Sequence, residues 1–262
     1  MDLMLRGRVA AITGPAKGMG AAITRAFAAE GCRLVLLGRD TAAIQPVFEE
    51  VSKTTEAIVI GTDITDGAAC FTAAEAAKAR FGTVDILVNV AGGSGPIGKT
   101  GLTTTQAEYD EIIELNMRGC FNTIRAFAPM MVAQRWGKVV NVGGTFGMRG
   151  RAGRLAYSAS KWGLRGISKS FALELGPHNI NVNNVAPGMV DGPRFREKVI
   201  PESARRLSIS EEDAVARHAA DYALGRISTD ADVASACLFM ASDVSRQITG
   251  VDLPVDGGWA AL

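Results

Sequence analysis

Apolar residues along the chain fall into two rhythms. Short aliphatic and β-branched runs recur at residues 9–13, 33–37, 57–60, 85–90, 138–142, 181–185 and 253–255. Between them lie longer stretches with apolar positions at helical spacing, such as Met19, Ile23 and Phe27. A strand that must cross over a helix before the next strand begins pairs in parallel, so the alternation predicts an α/β fold built on a doubly wound parallel sheet of about seven strands. Sheets of that kind carry helices on both faces, and ligands bind beyond the carboxyl ends of the strands where the winding reverses. The functional residues are therefore expected on strand-end loops.

No Pro- or Ser-rich linker, low-complexity tract or fixed-period repeat divides the 262 residues, so a single domain over 1–262 is expected. One stretch breaks the alternation. Residues from about 194 to 226 form a long, mostly helical insertion of mixed charge, far longer than an ordinary strand-to-helix loop, and read as a lid.

Composition narrows the function. With 47% hydrophobic and 21% charged residues, and 30 glycines without a collagen period, disorder and fibres are excluded. A net charge of +1 offers no global field for nucleic acid or anionic lipid. Cys32, Cys70, Cys120 and Cys237 are scattered with no CxxC pair, which suits a reducing compartment, argues against a metal site and makes them core residues. No apolar run reaches the roughly 18 residues of a membrane span, and the start, MDLMLRGRV, lacks the long apolar stretch of a signal peptide. A cytoplasmic location with no membrane partner is expected.

Directly after the first run comes Thr13-Gly14-Pro15-Ala16-Lys17-Gly18-Met19-Gly20, followed by an amphipathic stretch. Glycines there permit a tight turn and close approach of a ligand to the backbone, while the helix start offers N–H groups to a pyrophosphate, as in Rossmann-like folds. The spacing is Gly-x-x-x-Gly-x-Gly, and with it the chain resembles the short-chain dehydrogenase/reductase family over nearly its whole length. Further matching features are Asp63 in Thr62-Asp63-Ile64-Thr65, Asn89-Val90-Ala91-Gly92, Asn116, Tyr157-Ser158-Ala159-Ser160-Lys161, Asn183, Pro187-Gly188 and Val255-Asp256-Gly257-Gly258. The resemblance implies that Gly14, Lys17, Gly18, Met19, Gly20, Ala91 and Gly92 contact a nicotinamide dinucleotide. It further implies that Asp63 and Ile64 flank the adenine, that Asn89 braces the central strand, and that Pro187 and Gly188 lie beside the nicotinamide.

Tyr157 and Lys161 are four residues apart, which on a helix puts both side chains on one face. A nearby ammonium favours a phenolate and brings the phenol closer to the range where it can exchange a proton with an alcohol. By resemblance, Lys161 also holds the nicotinamide ribose and Asn116 carries a water linking it to solvent. One family group is missing: the serine expected thirteen residues before the tyrosine is Gly144. Thr145 is the nearest hydroxyl and the two glycines before it leave the backbone free to turn it inward, with Ser94 a second candidate. Gly192 stands where the family often has a threonine contacting the nicotinamide amide.

The second run ends Leu36-Leu37-Gly38-Arg39-Asp40. Gly38 occupies the usual place of the carboxylate that binds the adenosine ribose of NAD, while Arg39 and Lys17 could meet a 2′-phosphate. NADP(H) is favoured and NAD(H) stays open, because Asp40 is close enough to pair with Arg39. From residue 115 to 173 the chain contains no Asp or Glu but ten Lys or Arg, including Arg149, Arg151 and Arg154 before the Tyr157 helix. An acidic substrate is therefore one expectation, with Arg194 and Arg196 as further candidates, and subunit contacts or solvation are the other.

The leading function is hydride transfer between nicotinamide and a secondary alcohol or ketone. A catalytically impaired, regulatory nucleotide-binding relative is the alternative that Gly144 supports, and a dehydratase or epimerase using nicotinamide without net redox is a third. The helix from about 105 to 134, the Tyr157 helix and the end at 255–262 match elements that relatives use to assemble, so a homotetramer, or at least a dimer, is expected.

Overall fold

The structure is a computed structural model that describes residues 2–193 and 195–261. The seven apolar runs all form strands: β1 (Val9–Thr13), β2 (Arg33–Gly38), β3 (Ala57–Gly61), β4 (Ile86–Asn89), β5 (Gly137–Val142), β6 (Ile180–Pro187) and, last in the chain, β9 (Asp252–Val255). They make one parallel sheet in the order β3-β2-β1-β4-β5-β6-β9. The chain winds outward from β1 to β3 and then returns to the other side of β1. The winding therefore reverses between β1 and β4, and their carboxyl ends flank a crevice.

Around the sheet run α1 (Gly18–Ala29), α2 (Thr41–Val51), α3 (Gly67–Phe81), α4 (Gln106–Ile113), α5 (Gly119–Gln134), α6 (Leu155–Leu175), α7 (Ile200–Leu207), α8 (Glu211–Ala220) and α9 (Asp230–Ala241). Alternate strand residues serve opposite cores, as the two-residue period of a strand requires. Ala10 and Ile12 of β1 join Phe27 of α1 and Val233 of α9 on one face; Val9 and Ala11 join Cys70 of α3, Phe127 of α5 and Leu164 of α6 on the other. Burying a side chain such as Phe27 or Phe127 stabilises by roughly 1.5–3 kcal/mol. The four cysteines are free core residues, two in each cluster. Burial pushes their thiols up, to about 12 for Cys32, Cys120 and Cys237 and about 11 for Cys70.

Two features go beyond the sequence pattern. The helix expected from about 105 to 134 is continuous, but a π turn, Glu114–Arg118, separates α4 from α5. And two short strands, β7 (Val190–Asp191) and β8 (Ser228–Thr229), pair in parallel at the base of the insertion. The insertion has its own small core of Phe195, Ile200, Ala204 and Ala214, so α7 and α8 pack as a unit rather than as a loose loop. Arg194 lies outside the described residues.

At the amino ends of the strands, away from the crevice, charges are paired. Lys138 is buried and donates to Asn181 Oδ1 at 2.8 Å, with Asp243 at 3.6 Å; desolvation draws its ammonium below the ordinary lysine range. Arg8 lies 3.4 Å from Asp85, whose other oxygen accepts from the Val9 N–H. Among the described residues no helix is long and apolar enough to cross a membrane, and no cluster of His, Cys, Asp or Glu is arranged to hold a metal ion.

Candidate active site

The crevice is held open by one hydroxyl. Thr13, buried at the end of β1, accepts hydrogen bonds from the N–H groups of Val90 and Ala91 at 2.9 and 3.0 Å, which fixes the loop after β4 against the turn after β1. That turn needs its glycines. Gly14 has φ +66°, and a Cβ there would sit 3.0 Å from the Ala91 Cα; a Cβ on Gly20 would sit 2.0 Å from the Gly14 carbonyl oxygen. Lys17 is the extended N-cap of α1 and makes no side-chain cap, so Gly18, Met19 and Gly20 begin the helix with N–H groups facing the turn. A dinucleotide fits this cradle: its pyrophosphate needs backbone donors and close approach, and both are present.

On the β2 side of the crevice, Asp63 accepts from the backbone and hydroxyl of Thr65 at 2.9 and 2.8 Å. Those bonds, with Arg39 nearby, hold its carboxyl below the usual range. Ile64 is buried, and its carbonyl accepts from Asn122 at 2.9 Å. The expected pairing of Asp40 with Arg39 does not form. Asp40 instead caps α2 by accepting from the Ala43 N–H at 3.0 Å, because a carboxylate at a helix start satisfies an otherwise unpaired donor. Arg39 lies 3.9 Å from Asp63, a loose and largely exposed pair. A Cβ on Gly38 would come 2.9 Å from Ile44 Cδ1, so the strand end is closed to a larger side chain unless Ile44 moves.

Opposite the turn stands α6. Its first turns carry Tyr157, half-buried, and Lys161, buried one turn later with Nζ donating to the Val142 carbonyl at 3.1 Å and lying 5.7 Å from the Tyr157 ring centroid. Asn116 sits in the π turn, where the extra residue per turn aims its carboxamide inward. Its oxygen accepts from the Gly93 N–H at 2.8 Å, and its nitrogen donates to the Gly93 carbonyl at 3.1 Å and to Ser160 Oγ at 2.9 Å. Ser160 in turn donates to the Tyr157 carbonyl at 2.8 Å. A Cβ on Gly92 would meet Asn116 Oδ1 at 2.9 Å and Lys161 Nζ at 3.8 Å, so loop and helix touch. Asn89 is buried, donating to Asn141 at 2.9 Å and accepting from Thr123 at 2.7 Å, which ties β4 to β5 and α5.

Position 144 faces the phenol. A Cβ placed on Gly144 would lie 3.2 Å from Tyr157 Oη and 3.8 Å from the Pro187 carbonyl. Thr145 is one residue further, buried at the start of a 3-10 turn, and its hydroxyl has no hydrogen-bond partner among the described residues. No hydrogen bond among them joins Ser94 to Tyr157 or Lys161. Pro187 ends β6, and the Gly188 N–H donates to the Val255 carbonyl at 3.0 Å. Gly192 lies beside Asp230, whose carboxyl burial pushes up.

The arginines divide. Arg196 is paired with Asp191. Arg149 donates to the Trp259 carbonyl at 3.2 Å and covers its ring. Arg151 lies 5.4 Å from the Phe146 ring centroid, and buried Arg154 lies 4.7 Å over the Tyr157 ring. Thr13 and Ser160, unassigned in the sequence reading, are polar residues at a strand end and three residues past the tyrosine, and that placement is the signal that marks them.

Comparisons with known proteins agree with this architecture. A family model described as enoyl-(acyl carrier protein) reductase matches residues 14–260. A 3-oxoacyl-(acyl-carrier-protein) reductase of Thermotoga maritima is 34% identical, covering 98% of this chain and 99% of that protein. A D-beta-hydroxybutyrate dehydrogenase of Rhizobium meliloti is 34% identical, covering 97% and 99%. The solved structure of an NAD+-bound xylitol dehydrogenase superimposes with a TM-score of 0.90 at 25% identity, covering 97% of this chain and all of that one. The fold and its crevice are those of a nicotinamide-dependent oxidoreductase of alcohols and ketones. The chain belongs to the short-chain dehydrogenase/reductase family. A catalytically impaired relative finds no support here, since these relatives are named for dehydrogenase and reductase activities.

Proposed function

We propose that Tyr157, Lys161 and Asn116, with the Thr145 hydroxyl as the donor nearest the missing serine, carry out reversible proton transfer to a secondary alcohol or ketone held against the crevice. The observation that carries this reading is the placement of the Tyr157 hydroxyl at the open side of Gly144, with the buried Lys161 ammonium one turn along the same helix. A bound nicotinamide would supply or accept the hydride. Tyr157 Oη gives its proton to the substrate oxygen in reduction and takes it back in oxidation. Lys161 stands one turn along the helix from the phenol, and its bond to the Val142 carbonyl keeps it from swinging away. Asn116 fixes the loop at Gly92 and Gly93 against Ser160, which aligns the crevice with the proton donor.

The dinucleotide would lie on Gly14, Lys17, Gly18, Met19 and Gly20, between Asp63–Ile64 and Asn89–Gly92, and end beside Pro187 and Gly188. NADP is preferred over NAD in this reading. Gly38 removes the ribose-binding carboxylate, Asp40 is engaged at α2, and Arg39 and Lys17 are exposed cations at the mouth. The pair at 3.9 Å between Arg39 and Asp63 is weak enough for a phosphate to displace. The insertion is read as a lid over the substrate. Self-association, as a tetramer or dimer, is supported by exposed apolar side chains on the outer faces of α5 and α6: Phe121, Leu155, Trp162 and Leu173. Four free cysteines fit a reducing cytoplasm.

Tyr157→Phe removes only the transferable proton, so kcat should fall by roughly a hundredfold to ten-thousandfold while nucleotide affinity is kept. Steady-state turnover with a panel of ketones and alcohols, beside nucleotide titration, measures both; near wild-type turnover would refute the assignment. Thr145→Val keeps the shape and removes the donor, and should lower kcat by about a hundredfold. An unchanged kcat would take Thr145 out of the set. Arg39→Ala should weaken NADP by roughly 10- to 100-fold and leave NAD nearly unaffected, because only the former carries a phosphate to lose a charge-assisted bond. Isothermal titration with both nucleotides reads this directly, and equal losses would overturn the preference.

A further inference from the structure

We infer that Arg165 is a positioning residue for the reaction: from α6 it grips the far end of the turn that carries Gly144 and Thr145, and so holds that turn against Tyr157. This rests on the reading of Tyr157 as proton donor and adds the group that keeps the turn and the phenol in register.

Tyr157, Lys161, Arg165 and Lys169 follow one another at four-residue spacing, so α6 presents them in one stripe. The stripe faces the segment that leaves β5. Lys161 Nζ donates to the Val142 carbonyl at 3.1 Å, where that segment begins, and Arg165 Nη1 donates to the Gly147 carbonyl at 2.7 Å, where the 3-10 turn Thr145–Gly147 ends. Two cations one helical turn apart therefore pin both ends of it. Between the pins lie the open place at Gly144 beside the Tyr157 hydroxyl, the Thr145 hydroxyl, and Phe146, whose ring meets the Tyr157 ring edge-on at 5.9 Å. A Cβ on Gly147 would come 2.7 Å from the Lys161 carbonyl oxygen, so turn and helix are in backbone contact there. Any shift at Gly147 passes through Phe146 to the phenol.

Arg165 is itself fixed. Its Nε donates to Asp252 Oδ2 at 3.0 Å, and its guanidinium covers the Trp162 ring at 4.7 Å. The Asp252 side chain, on β9, is only 7% exposed; it also pairs with Lys169 at 2.9 Å and accepts from Asn184 of β6 at 2.9 Å. Burial alone would raise the Asp252 carboxyl, but the bonds from Lys169, Asn184 and Arg165 outweigh it and hold the group below the usual range, so it stays charged. Asn184 in turn fills the space beside Gly143, where a Cβ would strike its carboxamide. A guanidinium offers donors in fixed, divergent directions, and here one is committed to a carboxylate and another to a carbonyl. An ammonium on a lysine stem has no such fork and would go to the carboxylate, releasing Gly147. Lys169 supplies the comparison: it meets the same carboxylate and the Gly250 carbonyl at 2.8 Å, and forms no hydrogen bond with the turn among the described residues.

The test compares Arg165→Gln with Lys169→Gln in the full chain, using the reduced nucleotide and the ketone that the wild type turns over fastest. Each variant takes one cation from Asp252, and only the first releases Gly147. Arg165→Gln should slow the single-turnover rate of nicotinamide oxidation by roughly 10- to 30-fold while the nucleotide dissociation constant stays within about twofold. Lys169→Gln should leave both within about twofold, although it removes a partner from the same buried carboxylate. Should Arg165→Gln not fold, Arg165→Lys carries the question, because it keeps the ion pair and gives up the bond to Gly147; its single turnover should be slower by roughly threefold or more. A wild-type rate in whichever Arg165 variant folds, or an equal fall in the Lys169 variant, overturns the proposal and leaves the proton-transfer reading standing. A wild type that turns over no ketone or alcohol with either nucleotide fails that reading and this role with it.

Discussion

A single carboxamide joins the two halves of the site. Asn116 bonds both the N–H and the carbonyl of Gly93 and then reaches Ser160, so the loop after β4 and the helix bearing Tyr157 and Lys161 are positioned by one side chain. The two elements approach closely at Gly92, whose missing Cβ is what lets Asn116 and Lys161 lie against the loop. Each of these bonds is worth about 1 kcal/mol net, yet leaving a buried donor or acceptor unpaired costs about 1–3 kcal/mol. The arrangement is therefore stiffer than the sum of its contacts suggests. The π turn is the structural cost of aiming Asn116 inward from a helix whose other residues serve the core.

Charge is distributed with the same logic. At the amino ends of the strands every buried ion has a partner: Lys138 with Asn181 and Asp243, Asp85 with Arg8 and the Val9 N–H. At the carboxyl ends Arg39 and Arg196 are paired with Asp63 and Asp191, while three further cations form no ion pair among the described residues. Lys161 is held by a carbonyl, Arg149 by a carbonyl and an indole, and Arg151 by an aromatic face. A fold that pairs ions at its closed end and leaves positive charge at its open end is prepared for anionic ligands there. The pyrophosphate of a bound dinucleotide would answer that field.

Much of this was legible in the sequence because parallel strands buried on both faces must be nearly all apolar, and that pattern gives about seven strands with the site on strand-end loops; the strand order that puts the crevice between β1 and β4 comes from the structure. The glycine turn and the Tyr157–Lys161 pair were legible for a related reason, since turn geometry and helical periodicity are local. What was not legible depended on choices between partners. Asp40 could cap α2 or pair with Arg39, and only the three-dimensional start of α2 decides for the cap. The π turn leaves no mark on a periodicity count, because Ile112, Asn116 and Cys120 are buried on either reading. The strands β7 and β8 contain two residues each, too few for any pattern, and their pairing joins positions on either side of the insertion. The place beside the Tyr157 hydroxyl falls to Gly144, and a glycine carries no chemistry to announce it.

The central claim is that the Asn116 bridge sets the proton donor against the nucleotide crevice, and replacing Asn116 with alanine tests it most directly. The measurement is the single-turnover rate of nicotinamide oxidation with saturating ketone, taken beside the nucleotide dissociation constant. Loss of three hydrogen bonds at the junction, one buried and two part-buried, should slow the single turnover by roughly 30-fold or more, equivalent to about 2 kcal/mol in the barrier, while nucleotide affinity changes little. A single-turnover rate equal to wild type, with the variant folded, would show that α6 and the crevice are aligned without Asn116 and would contradict the account.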